Sequence, residues 1–385
     1  MKHSTDRILT THTGSLPRPD DLLTMLQHKE SGEAFDPAAL AVRVKSAVAE
    51  IVRKQMDAGV DIVNDGEMGK PSYSTYVKDR LSGFEGTEKS VPLRATDLAE
   101  FRNFARRGAS EMGVAVLKRP ACSGPISYRD RNAVQADAQN LQTAVDAAHP
   151  IEAFMTAASP GVITFFLTNK YYPTHEAYLR ALAEAMRTEY EAICAAGFIL
   201  QVDCPDLAMS RHVQFKDLGL AEFRKTIELH IDVLNHALVN IPPDRVRLHL
   251  CWGNYEGPHH HDVPLHDIVD IVLKARVGAI SYEASNPRHE HEWAVFKDVK
   301  LPDGMILIPG VIDSVTNFIE HPELVAQRIC NVARQVGREN VIAGTDCGFA
   351  TIAGSSRVDS EITWAKFKSM AEGAKLASQE LWRQM

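Results

Sequence analysis

The chain has 385 residues, of which 45% are hydrophobic and 24% are charged, and its net charge is −8 with a pI near 6.1. This composition excludes a disordered or collagen-like chain, and the acidic balance gives no basic surface for nucleic acid. No apolar run of about 18 residues and no N-terminal signal-peptide pattern occur, so we expect no membrane segment. Six cysteines are too few for a disulfide framework, which favours a reducing, cytoplasmic setting in which clustered cysteines bind metal or react.

Short apolar runs rich in valine and isoleucine alternate with stretches of helical length. The stretch 174–197 has Thr174 as a candidate N-cap and Gly197 as a candidate end, and 220–238 has the same helical apolar period. Eight runs are predicted as strands: 7–15, 61–67, 152–161, 198–205, 245–251, 279–285, 305–313 and 341–347. Eight strands alternating with helices predict a (β/α)8 TIM barrel that takes up residues 1–385 as one domain. A doubly wound open sheet is the alternative, but no Gly-x-Gly-x-x-Gly motif follows the first strand.

Residues 72–145 are too long for one strand–helix unit of such a barrel. Within them, "RLSGFEGTEKSVPL" and "RPACSGPISYRD" predict a hairpin or strand excursion that is followed by an exposed polar helix. We interpret the region as an insertion over the barrel, serving either as a lid or as an oligomer contact. A homo-oligomer is therefore left open.

Metal-binding residue types occur where the predicted strands end, which is where barrel enzymes gather their chemistry. Residues two apart on a strand face the same side, so His249 and Cys251 can both face inward. Glu283 ends the next strand and Cys347 ends the last one. An imidazole, two thiolates and a carboxylate form a donor set that suits Zn²⁺. We therefore predict a zinc site at these four residues and assign the other cysteines to the core: Cys122, Cys194, Cys204 and Cys330.

Three adjacent histidines, His259, His260 and His261, follow Gly257-Pro258 in a predicted loop. Adjacent loop histidines rarely bind one ion together. We expect them to be solvated or to contact substrate at the rim of the barrel, and we do not assign the metal to them.

Seven motifs occur in an order that carries a family resemblance: "TTHTGSLPRP", "DGE", "LQVDCP", "LHLCWGN", "ISYEAS", "PGVID" and "AGTDCGF". Together they resemble the catalytic half of cobalamin-independent methionine synthase and, more closely, its single-barrel relatives, which include epoxyalkane:coenzyme M transferase. The likeness covers about residues 8–350. It implies zinc held by His249, Cys251, Glu283 and Cys347, and alkyl transfer, most simply of a methyl group, to a thiol such as homocysteine that is bound to zinc as its thiolate.

The same resemblance implies that the thiol's amino-acid end is held by Thr13-Gly14-Ser15, Glu67 and Asp203. Two carboxylates facing an ammonium group favour an amino-acid thiol. The alternative is that Glu67 and Asp203 only cap loops or form salt bridges at the rim.

The alkyl donor is the less defined partner. Val315 stands where methionine synthase has its proton-donating histidine, and "GVIDSVTNFIEHPE" resembles the coenzyme M transferase branch. The donor is therefore methyltetrahydrofolate or another small donor, with opening of an epoxide by a zinc-bound thiolate as the alternative. Asp313 and His12 are candidate general acids, and Arg18 or Arg288 would bind a sulfonate in the epoxide reaction.

Two other classes stay open. One is a metal-independent enzyme like uroporphyrinogen decarboxylase, which has a related barrel and binds a multi-carboxylate substrate through arginines. The other is a non-catalytic zinc protein with four fixed ligands. The first predicts that the cysteine and histidine set is accidental, and the second predicts no room for a thiol.

Overall fold

A ring of parallel strands forms the centre of the protein in a computed structural model, which describes residues 1–86, 96–111 and 119–383. Within these residues the strands are β1 (Leu9–Thr10), β2 (Ile62–Val63), β3 (Phe84–Glu85), β4 (Ala121–Cys122), β5 (Glu152–Ala158), β6 (Ile199–Asp203), β7 (Val246–Leu250), β8 (Ala279–Tyr282), β9 (Ile306–Ile312) and β10 (Ile342–Thr345). Eight of these described strands form one parallel sheet in the order β1-β10-β9-β8-β7-β6-β5-β2. The predicted barrel is confirmed.

The two ends of this sheet, β1 and β2, lie side by side and close the ring. The Asp61 N–H donates to the Thr10 carbonyl at 3.1 Å, and the Thr11 hydroxyl donates to the Ile62 carbonyl at 3.0 Å. These bonds are few because β1 and β2 are each only two residues long.

Helices surround the ring. In the described segments they are α1 (Asp20–Ser31), α2 (Pro37–Asp57), α3 (Val77–Arg80), α4 (Thr96–Glu100), α5 (Arg102–Glu111), α6 (Arg131–Ala148), α7 (Pro160–Phe166), α8 (His175–Ala195), α9 (Leu220–Ala237), α10 (Val269–Val272), α11 (Pro322–Val336) and α12 (Ser360–Leu381). Short 3-10 helices lie at Pro205–Leu207, Met209–His212, Pro243–Arg245, Leu265–Asp267, Glu290–Lys297 and Arg338–Asn340. No helix of the described segments is long and apolar enough to cross a membrane.

Helix α8 shows why these stretches are helical. The Thr174 hydroxyl accepts from the Ala177 N–H at 3.1 Å, as the predicted N-cap requires. Leu179, Leu182 and Met186 recur on one face and are fully buried against the sheet. The stretch ends at Gly197, whose φ of +95° favours glycine.

The region predicted as an excursion contains an antiparallel pair. β3 pairs with β4, with Phe84 opposite Cys122 and Glu85 opposite Ala121. Residues 87–95 and 112–118 of this region lie outside the described residues. Helix α6, expected to be exposed, instead buries Val134 and Leu141 and packs against α2 and α8, so it belongs to the helical layer of the barrel.

Strand register decides which side chains meet at the mouth of the barrel. Asp203 at the end of β6 pairs with His249 of β7, and His249 pairs with Ser281 of β8. The register of β9 and β10 shifts between Gly344 and Thr345. Because all these strands run parallel, their carboxyl ends open on the same face of the sheet.

Candidate metal centre

His249, Cys251 and Cys347 meet at the mouth of the barrel. The Nε2 or Nδ1 atom of His249 and the two Sγ atoms lie within 4.8 Å of one another, and all three residues are buried. His249 Nδ1 lies 3.4 Å from the Ser281 hydroxyl, while its Nε2 is buried and has no hydrogen-bond partner in the part of the chain that the structure describes. Burial lowers the pKa of His249 to about 3, so the ring is neutral and has a free lone pair. A neutral imidazole beside two sulfurs is a donor set for a borderline metal such as zinc.

The two sulfurs are themselves in contact. A hydrogen bond to Cys347, followed by burial, raises the pKa of the Cys251 thiol well above its usual value. In such surroundings a thiol stays protonated unless a positive charge arrives. A divalent cation bound here would supply that charge and favour the thiolate form of Cys251.

Glu283 lies beside this group but outside the 4.8 Å cluster. Its Oε1 accepts from the Trp252 N–H at 3.1 Å and its Oε2 accepts from Asn286 Nδ2 at 2.9 Å. Burial, and then the nearby Cys251, raise the pKa of the Glu283 carboxyl. Its role as a fourth ligand therefore stays a prediction, and binding an ion would exchange one of these hydrogen bonds for a metal bond.

A cavity opens directly above the three donors. Thr13, Ser15, Glu67 and Asp203 line it, together with the donors themselves. Gly14 does not line the cavity. A side chain at this position would collide with Glu67 and Thr156, and the φ of +154° also favours glycine. The structure thus brings four of the five predicted substrate-binding residues to the predicted metal residues.

Glu67 and Asp203 are two buried carboxylates on this cavity. Glu67 Oε1 accepts from the Thr156 hydroxyl at 2.9 Å, while its Oε2 is buried and has no hydrogen-bond partner within residues 1–86, 96–111 and 119–383. Asp203 Oδ1 accepts from Gln201 Nε2 at 2.7 Å. Burial raises the pKa of both carboxyls, and the proximity of Glu67 adds to the shift of Asp203. A cationic ligand between them would relieve both effects.

The candidate general acids lie elsewhere. His12 Nε2 bonds Gln55 Oε1 at 2.8 Å, its ring contacts Phe154 and Phe367, and burial lowers its pKa to about 3. The Asp313 carboxylate accepts from its own loop, at the Val315 N–H and the Thr316 hydroxyl. None of His12, Asp313 and Val315 lines the cavity.

The candidate sulfonate-binding arginines have other partners. Arg18 is buried and donates to the carbonyls of Ala350, Glu67 and Lys70. Arg288 donates to the His260 carbonyl at 3.2 Å. Both guanidinium groups therefore donate hydrogen bonds to backbone carbonyls of neighbouring loops.

Several cavity residues were missed by the sequence reasoning. Tyr73, Met209, Asn254 and Thr351 also line the cavity. Asn254 stands in the "LHLCWGN" motif, which was a usable signal, and its Nδ2 donates to the Gly348 carbonyl at 2.8 Å. Tyr73 comes from the segment after β2, within the region predicted to lie over the barrel, but nothing in the sequence singled out its side chain. Burial raises the pKa of its hydroxyl, which therefore stays protonated.

The fold and this site define a (β/α)8 barrel with a sulfur-rich candidate metal centre beside an acidic cavity. Residues 127–375 match the family described as "Cobalamin-independent synthase, Catalytic domain", and the chain belongs to that family. It is 25% identical over 375 residues to the methionine synthase of Sulfolobus acidocaldarius. This alignment covers 97% of this chain and 93% of that protein.

Solved structures show the same fold. A B12-independent methionine synthase from Shewanella sp. W3-18-1, solved in complex with selenomethionine, superposes with a TM-score of 0.73 at 19% identity, covering 97% of this chain and 99% of the other. A putative vitamin-B12-independent methionine synthase from Listeria monocytogenes gives a TM-score of 0.64 at 17% identity, over 98% and 100% of the two chains.

Proposed function

We propose that this protein is a zinc-dependent methyltransferase whose acceptor is the sulfur of a small amino-acid thiol such as homocysteine. One observation carries the proposal: a nitrogen and two sulfur donors, His249, Cys251 and Cys347, share a cavity with the two carboxylates of Glu67 and Asp203. Membership of the cobalamin-independent synthase family supports the same reaction class.

The residues fit a zinc ion. His249 Nε2 is a buried polar atom without a hydrogen-bond partner among the described residues, and His249 belongs to the group that includes both sulfurs. His249, Cys251 and Cys347 would hold the ion, with Glu283 as an exchangeable fourth ligand. Bound zinc would lower the pKa of an incoming thiol, so that its sulfur is a nucleophile at neutral pH.

The rest of the cavity would position the acceptor. Glu67 Oε2, buried and unpartnered, and the Asp203 carboxylate would bind the ammonium group. Ser15 is fixed beside Gly348, where an added Cβ would lie 2.1 Å from its hydroxyl oxygen. Holding the amino-acid end at one place directs the thiol towards the donor side chains and shortens the search for a reactive geometry.

The methyl donor would approach from the open side of the cavity, and methyltetrahydrofolate or a simpler donor is the proposed source. The bond between the methyl carbon and the donor breaks as the sulfur–carbon bond forms, and the donor atom keeps the electron pair and takes up a proton. Asp313 and His12 stay predictions for that proton, since neither lines the cavity. All six cysteines are free thiols, which suits the proposed reducing, cytoplasmic setting.

The test is product formation by the zinc-loaded protein from homocysteine and methyltetrahydrofolate, with methionine measured by mass spectrometry. We expect methionine from the native chain and from Cys330→Ser, a matched control on α11, and none above background from Cys251→Ser or Cys347→Ser. A thioether formed only from coenzyme M and an epoxide would replace the proposal with the epoxide reaction. Equal activity in all four proteins would remove the cysteines from it.

A further inference from the structure

The excursion reaches back to the loop that follows the candidate metal ligand Cys251. Helix α4 carries Asp97, whose Oδ2 accepts from the Tyr255 hydroxyl at 2.6 Å and from the His259 N–H at 2.8 Å. Asp97 is buried by this contact. One turn later in the same helix, Glu100 faces the next two residues of the loop. The excursion and the loop after β7 thus meet through two carboxylates.

His259 is fully engaged within its own loop. Its Nδ1 bonds Asp262 Oδ2 at 2.8 Å, its Nε2 bonds the Tyr255 carbonyl at 2.9 Å, and its ring stacks on Tyr255. No lone pair is left for a ligand. The three adjacent histidines therefore divide into one that is bound within its own loop and two that contact Glu100 of α4.

His260 and His261 point the same ring atom at the same carboxylate. His260 Nε2 lies 3.0 Å from Glu100 Oε2, and His261 Nε2 bonds Glu100 Oε1. The two ring centroids are 4.2 Å apart, and the edge of Phe101 packs on His260. One donor atom from each of the three residues lies within 4.8 Å of the other two. Two imidazole nitrogens and a carboxylate oxygen that converge in this way can bind one ion.

The cluster is open to solvent, with side-chain exposures of 35% for His260, 42% for His261 and 52% for Glu100. Ion pairs at such exposure contribute little to stability, because water competes for both partners. Coordination bonds to a borderline divalent cation are stronger, and water can fill the remaining positions. Within the described residues, Arg288 is the positively charged side chain bonded to this loop segment. Its guanidinium group donates to the His260 backbone carbonyl and not to the imidazole rings or Glu100.

We propose that Glu100, His260 and His261 form a surface site for a borderline divalent cation of the zinc class, which fastens α4 to the loop after Cys251. The site is separate from the buried His249, Cys251 and Cys347 group and does not depend on it. An ion bound there would hold α4 against the loop that helps to line the cavity through Gly253 and Asn254.

Equilibrium dialysis against Zn²⁺ alone tests the site. The full-length Cys251→Ser/Cys347→Ser chain should still bind one equivalent, and His261→Ala or Glu100→Gln added to it should abolish that binding. His266→Ala, which removes an exposed histidine whose only partner in the described part of the chain is its neighbour Asp267, should leave it intact. In the otherwise native chain, His261→Ala should bind one equivalent less than the native protein, so the result does not rest on how the double variant folds.

A second measurement tests whether the bound ion holds α4 to the loop after Cys251. Hydrogen exchange of residues 96–106 should slow when Zn²⁺ is added to the native chain, and it should not respond in Glu100→Gln. Retention of the surface equivalent in both His261→Ala and Glu100→Gln would overturn the site. Binding without slower exchange would overturn the fastening. Neither result depends on methyl transfer, so the failure of this proposal and the failure of the proposed function are distinguishable.

Discussion

The Asp346 carboxylate accepts a hydrogen bond from the Ser285 backbone N–H at 2.9 Å and so ties together the loops that follow β10 and β8. The same Oδ1 accepts from the Ala284 N–H at 2.8 Å, and Oδ2 accepts from the Asn286 N–H at 2.9 Å. Asp346 directly precedes Cys347, and the three backbone N–H groups that it binds directly follow Glu283. One side chain therefore fixes the spacing between a candidate ligand on each loop.

Asp346→Asn should weaken zinc binding. The amide would turn an N–H towards backbone N–H donors, so at least one of these hydrogen bonds is lost and the two loops separate. Partners that orient metal ligands typically change affinity by about 10- to 100-fold when they are altered. Competition with a chromophoric chelator measures the change, with the exposed Asp303→Asn as control. An affinity unchanged from the native value would contradict this role.

Gly310→Ala should destabilise the fold near the same residue. A Cβ at position 310 would lie 2.1 Å from Asp346 Oδ1 and 2.6 Å from its Cα and N, so backbone must move. Overpacking of this kind costs about 1–3 kcal/mol in the free energy of unfolding. Chemical denaturation followed by circular dichroism provides the measurement. Gly124→Ala, whose nearest neighbour would be 3.7 Å away, should change it little, and equal effects of the two would refute the argument.

Glu67→Gln should reduce kcat/KM for homocysteine by about 10- to 100-fold, because a charged hydrogen bond to the ammonium group is replaced by a neutral one. The fall should be absent with 3-mercaptopropionate, which has a thiol and no ammonium group. Comparing the two thiols separates ammonium recognition from a general loss of structure. A similar fall with both thiols would mean that Glu67 does not bind the ammonium group.

The eight strands were predictable because a parallel sheet is buried on both faces, and strands such as β6 and β7 are wholly buried. The proximity of the candidate ligands His249 and Cys251 was predictable from strand alternation, since the two residues are two positions apart. Tyr73 was not predictable, because its place depends on how the excursion folds back over the mouth. The role of His12 stays a prediction, because its ring contacts Gln55 and Phe367 and does not line the cavity.

Acid should destabilise the protein in part through His175, whose Nε2 bonds His230 Nε2 at 3.0 Å. Burial, and then the neighbouring His230, lower the pKa of His175 to about 4. The unfolded chain, with an ordinary histidine pKa near ~6.5, binds the proton first, so stability falls as pH falls through this window.

The measurement is the free energy of unfolding between pH 7 and pH 4. His175→Gln should show a shallower decline than the native chain, by up to about one proton taken up on unfolding. The exposed His291→Gln should keep the native slope. Identical slopes in the native and His175→Gln proteins would show that His175 does not contribute.

The most direct test of the central claim, that His249, Cys251 and Cys347 surround one zinc ion, is X-ray absorption at the zinc edge. The sample is the His261→Ala chain, which lacks the proposed surface site, loaded with one equivalent of zinc. We expect two sulfur neighbours at about 2.3 Å and nitrogen or oxygen neighbours at about 2.0–2.2 Å, with one sulfur lost in Cys347→Ser. A shell of nitrogen and oxygen alone, or a spectrum unchanged by Cys347→Ser, would contradict it.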